Sequence, residues 1–254
     1  MSMACHFFAA SSPHSLELCQ TPDTSVRDDM QMTSIFLAAI LSFATAITPP
    51  KLSAVATLPT ARISMITALN RLKVHAEYTS GYARSKFGDW IDADGDGLDT
   101  RAEVLIDESK VNVTISYRTV RTGKWLSLYD NVTWTNASDV DIDHVVALSE
   151  AWKSGAHAWS SARRLAFAND LGVSWALRAV TDNVNMSKGD RDPSSWIPSY
   201  RAAVCTYLVG WVAVKLRWGL SVDTAEKSSI VSSWRSAGCL NRANPPTVDV
   251  RIAP

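Results

Sequence analysis

The chain has 254 residues, 46% of them apolar and 20% charged, with 25 basic and 25 acidic side chains in balance. That is enough for one domain with a sizeable core plus tails. Zero net charge excludes a global field that would gather a polyanion, so a nucleic-acid partner needs a local basic face.

The first element in chain order is IFLAAILSFATAI (35–47), 13 residues without a charge. That suits the apolar core of a secretory signal and is too short to span a bilayer comfortably. A buried helix is the rival reading. Ala44-Thr45-Ala46 offers a cleavage site, with Ala54-Val55-Ala56 as a second. Asp28 and Asp29 precede the run, where a signal avoids acids, so Met30 or Met32 is the expected start of translation. Residues 1–46 therefore read as a leader, 47–59 as a linker, 60–242 as one folded domain and 243–254 as a loose tail.

Removing the leader discards Cys5 and Cys19 and leaves Cys205 and Cys239, most simply one disulfide in a secreted domain. Closing that loop contributes roughly 3–4 kcal/mol in the chain-entropy account. Asn112, Asn131, Asn136 and Asn185 open Asn-x-Ser/Thr sequons, mild support for an extracellular protein.

Residues 60–77 predict a helix from Ile63, Ile66, Leu69 and Leu72. The alternating segments 111–120 and 123–130, with Thr122-Gly123 between them, predict a hairpin. Residues 138–143 and 175–180 predict short strands, 158–171 a helix and 182–188 a short helix. Tyr200, Val204, Tyr207, Trp211, Val214 and Trp218 mark one buried face of a long helix. A closing helix follows over 223–237, with Asp223 as N-cap and Glu226 three residues on. The fold class is α+β. Nine basic side chains between 151 and 218 (Lys153, Arg163, Arg164, Arg178, Lys188, Arg191, Arg201, Lys215, Arg217) face only four acids there, the expected local basic face.

Of the histidines after the leader, His75 and His157 have no acid beside them and read as structural. His144 follows Asp141 and Asp143, which share one side of a strand. Further on, NVNMSKGDRDP (183–193) supplies the neutral oxygen donor Asn185 and the cation Lys188. Asp143 and Asn185 could hold a hard divalent cation with open positions, leaving His144 free as a general base on water.

These residues resemble the ββα-metal (HNH) endonuclease superfamily. The motif runs D-I-D-H-V-V, F-A-N-D, L-x-A-V and N-x-S-K-G-D-x-D-P-x-x-W. The likeness is to its secreted microbial branch, related to the C-terminal nuclease domain of GmrSD-type restriction enzymes, and extends over roughly residues 75–240. It implies a ββα-metal core with a small antiparallel sheet and several packing helices. It implies Asp143 and Asn185 as ligands of Mg²⁺, Mn²⁺ or another divalent cation, and His144 as base. Lys188, with Arg191 nearby, would meet phosphate, and the products would carry 5′-phosphate and 3′-hydroxyl ends. The middle Asn of the signature is absent from WALRAV (175–180), and Asn169 is the nearest candidate. Relatives carry a Cys after D-A-D-G-D-G and another before G-K-W, where this chain has Leu98 and Val120. The implied protein is a secreted, monomeric nuclease acting on DNA or RNA without sequence preference and without a membrane.

A second cation site is written into DADGDGLDTRAE (92–103), where Asp92, Asp94, Asp96, Gly97 and Glu103 fit the calcium-loop template. Position eight is Asp99, where such loops carry a branched apolar residue. Both readings stand from sequence: a Ca²⁺ site or a metal-free turn, with Thr100 and Arg101 alternatively facing nucleic acid. A secreted Ca²⁺-binding module with an inactive nuclease-like site is the rival function, and a structural or cell-wall protein a third.

Overall fold

The computed structural model describes residues 61–254. The signal-like run, the linker and the expected start sites lie outside the described residues.

The described chain opens on β1 (Ala61–Ser64), paired antiparallel with β7 (Thr247–Val250), Ala61 opposite Val250. This corrects two expectations. The helix expected from residue 60 begins as α1 (Met65–Arg71), where the Ser64 side chain accepts from the Thr67 amide. The tail expected to be loose ends in a strand whose Val248 is fully buried. Its alternation of Val248, Asp249 and Val250 is too short to stand out beside Pro245-Pro246.

Residues 72–99 form an irregular strap. It is tied to the far end of the chain by the His75 amide on the Val222 carbonyl (2.9 Å) and the Val222 amide on the Lys73 carbonyl (2.9 Å). Next comes α2 (Thr100–Glu108), capped by Asp99, whose side chain accepts from the Ala102 amide. An N-cap needs an oxygen acceptor, which is why Asp99 stands where a calcium loop would carry an apolar residue.

A three-stranded antiparallel sheet follows: β2 (Thr114–Ser116), β3 (Thr119–Ser127) and β4 (Val132–Asn136). Its first turn is not at Thr122-Gly123. It lies at Tyr117-Arg118, with φ of 49° and 66°, the positive values that a tight hairpin demands. Gly123 sits inside β3. A Cβ there would come within 2.6 Å of the Trp125 ring and 2.8 Å of Ser109 Oγ. Close approach rather than turning explains this glycine.

β5 (Val140–His144) pairs antiparallel with β6 (Leu177–Thr181), and α5 (Asp182–Lys188) follows β6 directly. Between the two strands run α3 (Leu148–Lys153) and α4 (Ser161–Ala168), the latter shorter than the helix expected over 158–171. The long helix is α6 (Val204–Trp218), with Tyr207, Trp211, Val214 and Trp218 buried and Tyr200 outside it. α7 (Thr224–Ser236) closes the fold, with Asp223 accepting from the Glu226 amide at 2.7 Å. Cys205 and Cys239 form a disulfide.

The main core gathers α1, α3, α4, α6 and α7 against one another. A second apolar cluster lies between α2 and the strands and includes Val120, with Leu98 packed against it. The two positions where the resemblance leads one to expect cysteine are thus joined here to one patch of apolar contact.

The basic face expected between 151 and 218 largely dissolves. Lys188, Lys215 and Arg217 are interior, paired with Asp143, with Glu150 and Glu226, and with Asp170 respectively. Arg178 pairs with Glu108, and Arg164 turns back onto the Lys86 and Trp159 carbonyls. Buried cations are tolerated only when paired and hydrogen-bonded, and a count of charges along the chain does not reveal which have partners.

Candidate active site

β5 alternates by geometry. Val140 and Ile142 face the second apolar cluster, so Asp141 and Asp143 point to the other side of the β5–β6 pair. There α5 descends from β6 and brings Asn185. A cavity of about 410 Å³ opens at this junction, lined by Asp141, Asp143, His144 and Asn185, with Arg84, Arg101 and Trp90 on its walls. The residues singled out in two distant segments of sequence meet at one opening.

Asp143 is buried. Its Oδ1 accepts from Lys188 Nζ at 2.8 Å and its Oδ2 from the Tyr129 hydroxyl at 2.6 Å. Burial pushes its carboxyl above the ordinary range, while the Lys188 ammonium and the two hydrogen bonds pull the other way. Lys188 also donates to the His144 carbonyl at 3.0 Å and has no exposed surface. The expectation of Lys188 at phosphate is therefore corrected: its ammonium is spent under the site. Arg191 is exposed, but its guanidinium folds back on the Ser187 and Lys188 carbonyls at the end of α5.

Asn185 Nδ2 donates to Asp141 Oδ2 at 3.1 Å. The acid in direct contact with Asn185 is thus Asp141, two residues before the one expected.

His144 ends β5. Its ring stacks on Trp90 (centroids 5.1 Å apart, planes 6° apart), with Phe167 farther off at 6.4 Å. Nε2 lies 2.8 Å from the Ala168 carbonyl. A carbonyl only accepts, so Nε2 carries the proton and Nδ1 the lone pair. Nδ1 has no hydrogen-bond partner among the described residues. Burial pushes the pKa down to about 3, with the nearby Arg84 and Lys188 charges adding and the Ala168 bond opposing. The imidazole is neutral at pH 7 with its lone pair on Nδ1, and the same lowering makes it a weaker proton acceptor than a free imidazole.

Asn169 makes no hydrogen bond to His144. Its Oδ1 accepts from the Ile91 amide (3.1 Å) and the Thr100 hydroxyl (2.7 Å), and its Nδ2 donates to the Asp89 and Leu165 carbonyls (3.1 and 3.0 Å). It sits one residue after the carbonyl that holds the histidine and ties that turn to the strap. Thr100, considered as a nucleic-acid contact, is buried with its hydroxyl on Asn169 and on the Ile91 carbonyl. Arg101 donates to the Ala137 and Val140 carbonyls while lining the cavity.

Tyr82, Arg84, Trp90 and Tyr129 took no part in the sequence-derived site. Trp90 stands just ahead of the Asp92–Asp96 run and Tyr129 just after Gly123-Lys124-Trp125, and neither has a neighbour pattern that marks it in sequence. Tyr82 lies in an irregular stretch and Arg84 opens a single 3-10 turn (Arg84–Phe87), too short for a periodicity to read.

In the 92–103 loop, carboxylate oxygens of Asp92, Asp94 and Asp96 converge within 4.8 Å. Glu103 is near enough for the three to raise its pKa, after the effect of burial. Asp92 already accepts from the Gly95 and Gly97 amides (2.8 and 2.9 Å) and pairs with Arg118 at 2.9 Å. His75 and His157 each rest a ring nitrogen on a backbone carbonyl.

The sequence pattern of the family described as GmrSD restriction endonucleases, C-terminal domain, matches residues 100–232. A protein of Arthroderma benhamiae, described as an uncharacterized secreted protein, is 43% identical over 203 residues, covering 79% of this chain and 98% of that protein. No solved structure matches the chain. The match spans β5, β6 and α5 with Asp141, Asp143, His144 and Asn185, and with it the chain belongs to the family of GmrSD restriction endonuclease C-terminal domains.

Proposed function

We propose that the protein is a secreted, metal-dependent endonuclease of the ββα-metal (HNH) type that hydrolyses phosphodiester bonds in nucleic acid. One observation carries this reading: a single cavity is lined by the carboxylates of Asp141, Asp143 and Asp190, an amide side chain and a histidine whose tautomer leaves Nδ1 unpaired. Family membership supports the nuclease class. The description of the fungal relative supports secretion.

The donor set suits a hard cation. Asp141, Asp143 and Asn185 offer oxygen ligands, as Mg²⁺ and Mn²⁺ prefer. Each carboxylate oxygen has more than one lone pair, so Asp143 can join a cation without giving up Lys188 or Tyr129. A bound divalent cation would supply charge stabilisation for the phosphate and the leaving oxygen.

The remaining work falls to the protein's own groups. His144 Nδ1 takes a proton from the attacking water. The water oxygen bonds to phosphorus as the bond to the 3′-oxygen breaks, leaving a 5′-phosphate, and the 3′-oxygen takes its proton from solvent. The Ala168 carbonyl keeps the ring oriented before and after that transfer. Trp90 and Phe167 restrict the ring on its faces. Arg84 stands at the cavity to meet backbone phosphate, which gives affinity without sequence reading and makes it fall with salt. DNA and RNA are both acceptable substrates on this account, and the protein acts as a monomer.

The test is plasmid nicking with Mg²⁺, with and without EDTA. His144→Ala should abolish cleavage and keep the fold. Normal nicking by that variant would refute the assignment of the base. A calcium-binding module with an inactive site is the second reading, favoured by the convergence of Asp92, Asp94 and Asp96. It predicts no nicking with Mg²⁺ by the wild-type protein.

A further inference from the structure

Away from that cavity, carboxylate oxygens of Glu77, Asp192 and Asp223 lie within 4.8 Å of one another. They come from three separate places: the strap after α1, the turn after α5 and the N-cap of α7. Two ligands of one calcium ion, each at roughly 2.3–2.6 Å, are at most about 5 Å apart. The spacing fits.

Acidic residues gather on surfaces for many reasons, but a second observation at this place concerns a buried atom. Glu150 on α3 has no exposed surface. Its Oε1 accepts from Lys215 Nζ at 2.7 Å and from the Ser154 hydroxyl, while Oε2 is buried without any partner. The same carboxylate lies within hydrogen-bonding reach of the Glu77 carboxylate. A buried carboxylate beside another one, with an oxygen that no donor answers, is costly unless a proton or a nearby cation offsets the charge.

The charge balance favours a cation. Glu77, Glu150, Asp192, Asp223 and Glu226 are five acids, and the cations that touch them are Lys153 (3.5 Å from Glu77) and Lys215. Asp192 and Asp223 use one oxygen each for local turns: Asp192 Oδ1 accepts from Ser194 and Ser195, and Asp223 Oδ1 from the Glu226 amide. Their Oδ2 atoms have no hydrogen-bond partner among the described residues. The 92–96 loop differs, because its carboxylates are exposed or half-exposed and already answered by backbone amides and Arg118.

We infer that Glu77, Asp192 and Asp223 form a calcium site, whose charge also answers the buried Glu150 carboxylate beside Glu77, and which pins the strap to the turn after α5 and to the start of α7. An all-oxygen, carboxylate-rich set favours Ca²⁺ over softer metals, and affinities near millimolar suit an extracellular module. The site is independent of the nuclease reading.

The experiment is thermal unfolding of the EDTA-treated, dialysed full chain titrated with CaCl₂. The wild-type protein should gain about 3–6 °C at calcium tenfold above its dissociation constant. A variant with Asp92, Asp94 and Asp96 all changed to Asn should gain as much. Glu77→Gln/Asp192→Asn should lose the gain. If that pair does not fold, Glu77→Gln alone serves. Its side chain is only half-buried, its metal-free melting temperature should equal or exceed wild type because a repulsion is removed, and its calcium midpoint should weaken at least tenfold. No shift in the wild type would overturn the site, as would an unchanged midpoint in Glu77→Gln or loss of the shift in the 92/94/96 variant. An equal shift with MgCl₂ at the same concentration would overturn the calcium assignment. A Glu77–Glu150 proton pair predicts stabilisation on acidification with no response to calcium, and that result would also sink the site.

Discussion

Lys188→Met separates two roles for one residue. As a phosphate contact, Lys188 would sit at the surface, and its loss would leave stability within about 0.5 kcal/mol of wild type. It would also lower the salt slope of nucleic-acid binding by about 0.9. The structure puts its ammonium instead between Asp143 Oδ1 (2.8 Å) and the His144 carbonyl (3.0 Å), with no exposed surface. Removing one partner of a buried ion pair costs about 3–5 kcal/mol, because the other charge is left unanswered. Tyr129 still donates to Asp143, and a hydrogen bond to a charged group is worth about 1.5–3 kcal/mol, so the lower end, about 3 kcal/mol, is expected. The measurement is urea unfolding of metal-free protein, followed by tryptophan fluorescence. Asp143→Asn in the Lys188→Met background should recover at least about 1 kcal/mol, since no orphan charge remains. The reasoning is refuted if Lys188→Met unfolds at the wild-type midpoint while its binding loses salt dependence.

The other expectations are as follows. Arg84→Ala, at an exposed position on the cavity wall, should weaken binding to unrelated DNA sequences alike and lower the salt slope by about 0.9, with stability unchanged; fluorescence anisotropy at several salt concentrations checks it. Cys205→Ser/Cys239→Ser opens a loop with a sequence separation of 34 and should cost about 3–4 kcal/mol, measured against oxidised wild type in urea. Burial first, and the neighbouring Glu150 charge, push the Glu226 carboxyl up to about 7, against the opposing Lys215 ammonium. A raised folded pKa contributes stability that is fully present below the unfolded value of 4.5 and lost as pH rises through 7. Calcium-free wild type should therefore lose stability relative to Glu226→Gln between pH 4.5 and 7, and parallel pH profiles for the two would contradict the assignment.

Local signals in the chain were enough for several parts of this protein. A helix N-cap is a contact between residues three apart, so Asp223 and the Glu226 amide could be paired from the letters alone. The apolar stripe of α6 and the two-residue alternation of Asp141 and Asp143 likewise depend only on the period of the backbone. Two cysteines left after a leader have one way to pair. The motif joining Asp143 and His144 to Asn185 carried the family, and the matched region bears that out.

What the tertiary structure alone decided is where each charge goes and which glycine turns. Lys188, Lys215 and Arg217 look in sequence like any other surface cations, yet each ends beside a buried carboxylate 45, 65 and 47 residues away. Gly123 reads as a turn residue, but an aromatic ring two positions on and a serine on another segment require its missing side chain. Asn185 meets Asp141, while Asp143 is held by Tyr129 and Lys188. Backbone periodicity is a short-range property that survives in the one-dimensional chain, whereas desolvation and ion pairing depend on neighbours that only folding supplies.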